Sequence, residues 1–162
     1  MMVYYSPAAN FKMSAKFAAR LYEIDNVTAI KWTSSDYHSM IRLKDLTHGE
    51  MNIINGPDEM LLMGLSAGAD GGIGTTYNFM LEKYKAIYEY FHSGNMAEAL
   101  RVQSEADRII EVLLRYKTIP VTKLILRQMG FAVGEASFPM KRYTEEEAKA
   151  ILAEFTAAGL RL

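Results

Sequence analysis

The sequence has no cysteine. That excludes a disulfide framework and thiolate chemistry, and it fits a reducing compartment, so a cytoplasmic location is expected. Net charge is nearly absent, with 18 Lys and Arg against 19 Asp and Glu. Neither nucleic acid nor an anionic membrane finds an electrostatic footprint on such a chain, and no partner of either kind is expected. Long apolar runs are also missing, and every one falls well short of the ~20 residues that span a bilayer. The opening Met1-Met2-Val3-Tyr4-Tyr5 lacks the charged start and long apolar middle of a secretory signal. The three histidines, His38, His48 and His92, have no metal-ligand spacing, so no metal is expected and surface roles are assigned to them.

What is present is ordinary for a globular domain. The chain has 162 residues, half of them apolar and 23% charged, enough for a single domain with a real core. The 11 methionines read as adaptable core filler.

Short apolar runs alternate with helical patterns through the first half. Val3-Tyr4-Tyr5 is extended and stops at Ser6-Pro7. Ser14 can cap a helix carrying Phe17, Ala18, Leu21 and Ile24 at helical spacing. After a turn at Asp25-Asn26, Val27 to Thr33 reads as a strand apolar on both faces apart from Thr28 and Lys31, as in buried parallel sheets. Ser34 or Ser35 caps a helix with Met40, Ile41 and Leu43, and Gly49 ends it. Met51 to Asn55 is a third strand, and Gly56-Pro57 turns into a helix over Glu59 to Leu65, closed by Gly68. Ala69 to Gly74 is a fourth, glycine-rich strand. The order βαβαβαβα calls for a parallel sheet with right-handed crossovers.

From Thr75 onward only helices are predicted. One runs from about Tyr77 to Phe91 and stops at Ser93-Gly94-Asn95. The next covers Ala97 to Arg115, with Leu100, Ile109, Ile110, Leu113 and Leu114 as core candidates. Pro120 breaks the chain before a shorter helix over Val121 to Met129, closed by Gly130. Thr144 to Glu147 forms a capping box for the last helix, whose Glu145-Glu146-Glu147 run suits a helix start. Residues 1–91 thus read as four βα units and 92–162 as a helical extension packed on them, in one structural domain. A (β/α)8 barrel takes eight strands and roughly 250 residues, so four units are half of one. The first strand is short, and the other half is expected to precede residue 1.

Lys31 stands near the C-terminal end of its apolar strand, where active sites of parallel α/β folds gather. Desolvation there would free its amine to attack a ketone and form an imine. The alternative is a strand-end lysine snorkelling to water. Gly71-Gly72-Ile73-Gly74 could cradle phosphate, but it lacks the Gly-Lys-Ser/Thr ending of a P-loop and the full dinucleotide spacing.

Four segments, in order, carry a resemblance. Tyr4-Tyr5-Ser6-Pro7-Ala8 is similar to the Tyr-x-x-Pro segment on strand five of the dihydrodipicolinate synthase/N-acetylneuraminate lyase family. Ala29-Ile30-Lys31-Trp32-Thr33-Ser34 resembles its strand-six segment with the Schiff-base lysine. Asn55-Gly56-Pro57-Asp58-Glu59 resembles the strand-seven segment of the lyase branch. Gly68-Ala69-Asp70-Gly71-Gly72-Ile73-Gly74-Thr75-Thr76-Tyr77-Asn78 is close to the strand-eight loop of that branch. The resemblance spans the chain and implies the C-terminal half of a (β/α)8 TIM barrel, strands five to eight, followed by the family's C-terminal helices.

It further implies a class I aldolase that reversibly cleaves N-acetylneuraminate, a sialic acid, to N-acetylmannosamine and pyruvate. Lys31 would form the pyruvate imine, with no other cofactor, and Tyr4 would shuttle protons. Thr33, Gly56, Asp58, Glu59, Gly74 and Thr75 would contact substrate. A homo-oligomer, a tetramer in the family, is implied as well. Other readings are a neutral structural role for Tyr4 in the core and helix-start charge for Asp58 and Glu59. The sequence departs from the pattern at Thr75, where the lyases carry serine, and at Trp32, which is larger than usual. Strands one to four are absent, and with them the Gly-x-x-Gly-Glu loop beside which the pyruvate carboxylate is held. A dihydrodipicolinate synthase or keto-deoxy sugar aldolase would share the chemistry. The synthases usually place an arginine shortly after Tyr-x-x-Pro, and Ala8-Ala9-Asn10-Phe11 has none. From a different class, the chain could be a non-catalytic half-barrel that self-associates through open sheet edges.

Overall fold

The computed structural model describes residues 1–7 and 10–162. Ala8 and Ala9, half of the stretch without a guanidinium, lie outside the described residues. Four strands, β1 (Met2–Tyr5), β2 (Ala29–Trp32), β3 (Asn52–Asn55) and β4 (Gly71–Gly72), form one sheet in the order β1-β2-β3-β4. Every pairing is parallel, so each strand must be reached by a crossover. The crossovers are α1 (Ala15–Tyr22), α2 (Tyr37–Leu46) and, after a 3-10 turn at Asp58–Met60, α3 (Leu61–Ser66). Four helices follow: α4 (Tyr77–His92), α5 (Met96–Leu113), α6 (Thr118–Gln128) and α7 (Glu145–Ala157).

Register decides which side chains can meet. Tyr4, Lys31, Ile54 and Gly71 are Cα partners across the four strands, so they occupy one row on one face. Tyr5, Trp32 and Asn55 stand one residue on, on the opposite face, and all three are buried. That face makes a core with Ile30, Ile53, Met40 and Leu43. Trp32 is wholly buried, with its ring 4.7 Å from that of Tyr5. The large residue after Lys31 therefore serves the helix-facing core, while Lys31 points the other way. A second core joins α3 to α7 through Leu62, Phe79, Ile109, Ile125 and Phe155.

Several local expectations are corrected. The cap of α2 is Asp36, not Ser34 or Ser35: its carboxylate accepts the Ser39 amide at 3.0 Å, and a charge there outranks a hydroxyl. Ser34 instead accepts the Asp36 amide. Helix α1 is capped by Ser14 as expected but ends at Tyr22, short of Ile24; Ile24 and Phe17 are both exposed. Ile41 is exposed too, while Met40 and Leu43 are buried. Strand β4 is reduced to two residues, Gly71–Gly72, which pair with Ile54 and Asn55. Helix α4 breaks its regular geometry at Met80. On α5, Ile109, Ile110 and Leu113 are buried, but Leu100 and Leu114 are exposed. Each lies one step, about 100°, off the buried stripe. Pro120 does not break the chain: it lies in the first turn of α6, where its missing amide has no partner to lose.

Among the described residues, no helix is long and apolar enough to cross a membrane. None of their acidic, histidine or cysteine side chains gather in a metal-binding group.

Candidate active site

The strand ladder runs on past the strand ends. Thr33, Gly56 and Ile73 donate their amides to Tyr5, Trp32 and Asn55 at 2.9, 2.9 and 3.0 Å. This fixes where each chain leaves the sheet at its C-terminal end. There a cleft of about 480 Å³ opens, and all eight residues singled out in the sequence line it: Tyr4, Lys31, Thr33, Gly56, Asp58, Glu59, Gly74 and Thr75. Leu114, just past the end of α5, and Thr118, at the start of α6, also line it. A groove of about 560 Å³ between α6 and α7 holds none of these residues.

Lys31 is half-buried, not sealed. Its ammonium sits over the ring of Tyr4, 4.8 Å from the centroid, a cation–π contact that holds it beside the phenol. Tyr4 is 64% exposed, so the core role weighed for it does not apply within this chain. Thr33, two residues beyond Lys31 on the same face, has a buried hydroxyl oxygen with no hydrogen-bond partner. It lies against Gly56, where an added Cβ would come within 2.0 Å of that oxygen. Glycine is required there by space alone.

The acidic pair divides. Glu59 is exposed to the cleft. Asp58 is engaged: its Oδ2 accepts the amide and the hydroxyl of Thr76, at 2.9 and 2.6 Å. Its Oδ1 occupies the space above Gly74, where an added Cβ would be 1.3 Å away. Gly72 likewise makes room for the Tyr77 hydroxyl. The glycines of Gly71-Gly72-Ile73-Gly74 thus serve strand pairing and side-chain packing, not a phosphate cradle.

Sequence reading missed the supports of this loop. Asn55, buried under β3, donates to the Pro57 carbonyl at 2.7 Å and accepts from the Tyr37 hydroxyl at 3.3 Å. Burial, with the charge of Glu59 adding, pushes the Tyr37 phenol up to about 12. Gln103 of α5 is 4% exposed. It accepts the Leu62 amide and donates to the Asp58 carbonyl and to Asp107. Burial raises the carboxyl of Asp107 above its ordinary value. A glutamine within the apolar stripe of α5 was the one visible signal.

A sequence model of the Dihydrodipicolinate synthetase family matches residues 1–158. The chain belongs to that family. The N-acetylneuraminate lyase of Rhizobium meliloti is 35% identical over 153 residues, covering 93% of this chain and 50% of the relative. Among solved structures, Proteus mirabilis N-acetylneuraminate lyase matches with a TM-score of 0.88 and 28% identity, over 98% of this chain and 54% of that one. A synthase of the family from Cyanidioschyzon merolae, with lysine bound, matches at 0.87 and 26% identity, over 99% and 55%. The chain spans about half the length of these family members.

Proposed function

We propose that the chain is the strand-five-to-eight half of a class I aldolase barrel of the dihydrodipicolinate synthetase family, acting on N-acetylneuraminate. The observation that carries this reading is the placement of Lys31. It stands in the row Tyr4–Lys31–Ile54–Gly71 on the cleft side of the sheet, with its amine over the Tyr4 ring. Membership of the family supports the chemistry, and the lyase relatives at 35% identity support the substrate.

In this reading the Lys31 amine adds to the C2 carbonyl of the keto acid and water leaves, giving an imine without any other cofactor. Tyr4 supplies the proton that the departing hydroxyl takes. Once protonated, the imine receives the electron pair of the breaking C3–C4 bond, while the Tyr4 oxygen takes the proton of the C4 hydroxyl, which becomes the aldehyde of N-acetylmannosamine. The enamine takes a proton at C3, and hydrolysis returns pyruvate and free Lys31. In this reading Thr33 contacts the pyruvate part, and Gly56, Asp58, Glu59, Gly74 and Thr75 contact the polyol part; all six line the cleft. The full enzyme is a cytoplasmic homo-oligomer in this reading, and the loop for the pyruvate carboxylate comes from the other half of the barrel.

The test is borohydride reduction in the presence of pyruvate, followed by peptide mass mapping, on the chain joined to the N-terminal half of a family relative. The adduct is expected on the Lys31 peptide and absent in Lys31→Ala. An adduct mainly on Lys16, Lys44 or Lys83 overturns the assignment. Faster condensation of pyruvate with aspartate semialdehyde than cleavage of N-acetylneuraminate would favour the synthase branch instead.

A further inference from the structure

Thr76 links two loops of the cleft. Its amide and hydroxyl both go to Asp58 Oδ2, which ties the turn after β3 to the loop after β4. The Thr76 hydroxyl also meets the Tyr84 hydroxyl in a short hydrogen bond. A threonine has one hydroxyl proton, and Thr76 gives it to the carboxylate, so Tyr84 is the donor. The chain Tyr84 to Thr76 to Asp58 therefore ends on an anion, where each link polarises the next. Thr76 and Tyr84 are each 2% exposed. Burial, with a smaller contribution from the charge of Asp58, keeps the Tyr84 phenol protonated far above its ordinary range.

Two further observations bear on its purpose. Helix α4 is broken at Met80, with φ −141° and ψ 39°, although the Met80 amide still reaches the Thr76 carbonyl at 3.1 Å. The Tyr84 hydroxyl bridges that break, and the Tyr84 ring stacks on Tyr77 at 3.8 Å and 6°. Second, the exposed cleft residues Glu59 and Thr75 are the immediate neighbours of the latched pair: Glu59 follows Asp58, and Thr75 precedes Thr76. Lys31 and Tyr4 come from β2 and β1 and do not touch the latch.

We infer that Thr76 and Tyr84 are positioning residues: by fixing Asp58 they set the spacing of Glu59 and Thr75, and so the affinity for the hydroxylated tail of the substrate, leaving imine formation at Lys31 untouched. The inference rests on the aldolase reading. Thr76→Val keeps the shape and removes the hydroxyl; Thr76→Ser restores it; Tyr84→Phe keeps the stack. In the completed barrel, Thr76→Val is expected to raise KM for N-acetylneuraminate ~10-fold, because Asp58 loses its hydroxyl donor and Tyr84 its acceptor, with kcat changed less than about 3-fold. Pyruvate trapping on Lys31 stays at the unsubstituted level. Thr76→Ser is expected to behave as the unsubstituted protein, and Tyr84→Phe to shift KM the same way by less. An unchanged KM in Thr76→Val overturns the inference, as does a parallel fall of kcat, trapping and affinity that serine does not rescue. If the unsubstituted protein fails to trap pyruvate, the aldolase reading fails, and the latch is judged in the 162-residue chain alone. There the Thr76 amide should exchange with solvent ~10-fold faster in Tyr84→Phe; unchanged exchange overturns it.

Discussion

The ammonium of Lys31 lies 4.8 Å from the centre of the Tyr4 ring, and the two residues are register partners on adjacent strands. The ring and the phenol can therefore be separated by mutation. Tyr4→Phe keeps the cation–π contact and removes the proton. In the completed barrel it should still trap pyruvate on Lys31 but lose turnover by about 100-fold or more, the usual scale for a general acid–base group. Tyr4→Ala should lose both. Equal turnover in Tyr4→Phe and the unsubstituted enzyme would remove Tyr4 from proton transfer.

Gly74 and Asp58 compete for one volume, since a Cβ at Gly74 would lie 1.3 Å from Asp58 Oδ1. Gly74→Ala should destabilise the chain by ~1–3 kcal/mol through overpacking. Asp58→Ala alone should also destabilise it, because Thr76 loses a charged acceptor. Combined, the two should cost less than their sum by about 1 kcal/mol, because removing the carboxylate makes room for the new methyl. Additive urea-unfolding energies would show that the contact is relieved by other movement.

The Asp36 cap gives a pH signature. The Ser39 amide, and then its hydroxyl, hold the Asp36 carboxyl below the ordinary 3.8. A folded value below the unfolded one means stability is fully present above the unfolded value and is lost as pH falls through the folded value. Asp36→Ala should cost ~1 kcal/mol near neutrality, and the deficit should shrink in acid, as pH falls from the ordinary 3.8 through the lower folded value and the native carboxyl protonates. Asp36→Asn should keep most of the cap with a flatter acid profile. The check is the urea midpoint at both pH values; a deficit that grows on acidification would contradict the sign.

The outer edges of β1 and β4 have no strand partner among the described residues, and Met2 and Tyr4 are exposed on the cleft-side face. Open edges and uncovered apolar faces seek partners. The 162-residue chain alone should therefore scatter light as a dimer or larger species at micromolar concentration. A sharp monomer with cooperative unfolding would refute this. Adding a complementary half-barrel should shift the population to a defined complex.

The chain order of strands and helices was legible in the residues, because apolar runs and helical spacing are local properties of sequence. So were the caps at Ser14 and Thr144, where one side chain reaches an amide three residues away. That Lys31 and Trp32 face opposite ways also followed from sequence, since side chains alternate along a strand. What the sequence left open depended on partners distant along the chain. That Asp58 is committed to Thr76 while Glu59 remains free could not be read from two adjacent carboxylates; it depends on a loop 18 residues on. Leu100 and Leu114 fit an apolar pattern but fall off the stripe that α4 and α3 cover. Gln103 occupies that stripe because the turn at Asp58 and the start of α3 present a carbonyl and an amide to it. Local periodicity gave the elements their order and faces, whereas the choice of which polar group is spent inside the fold and which faces the cleft was made only when β3, β4, α4 and α5 came together.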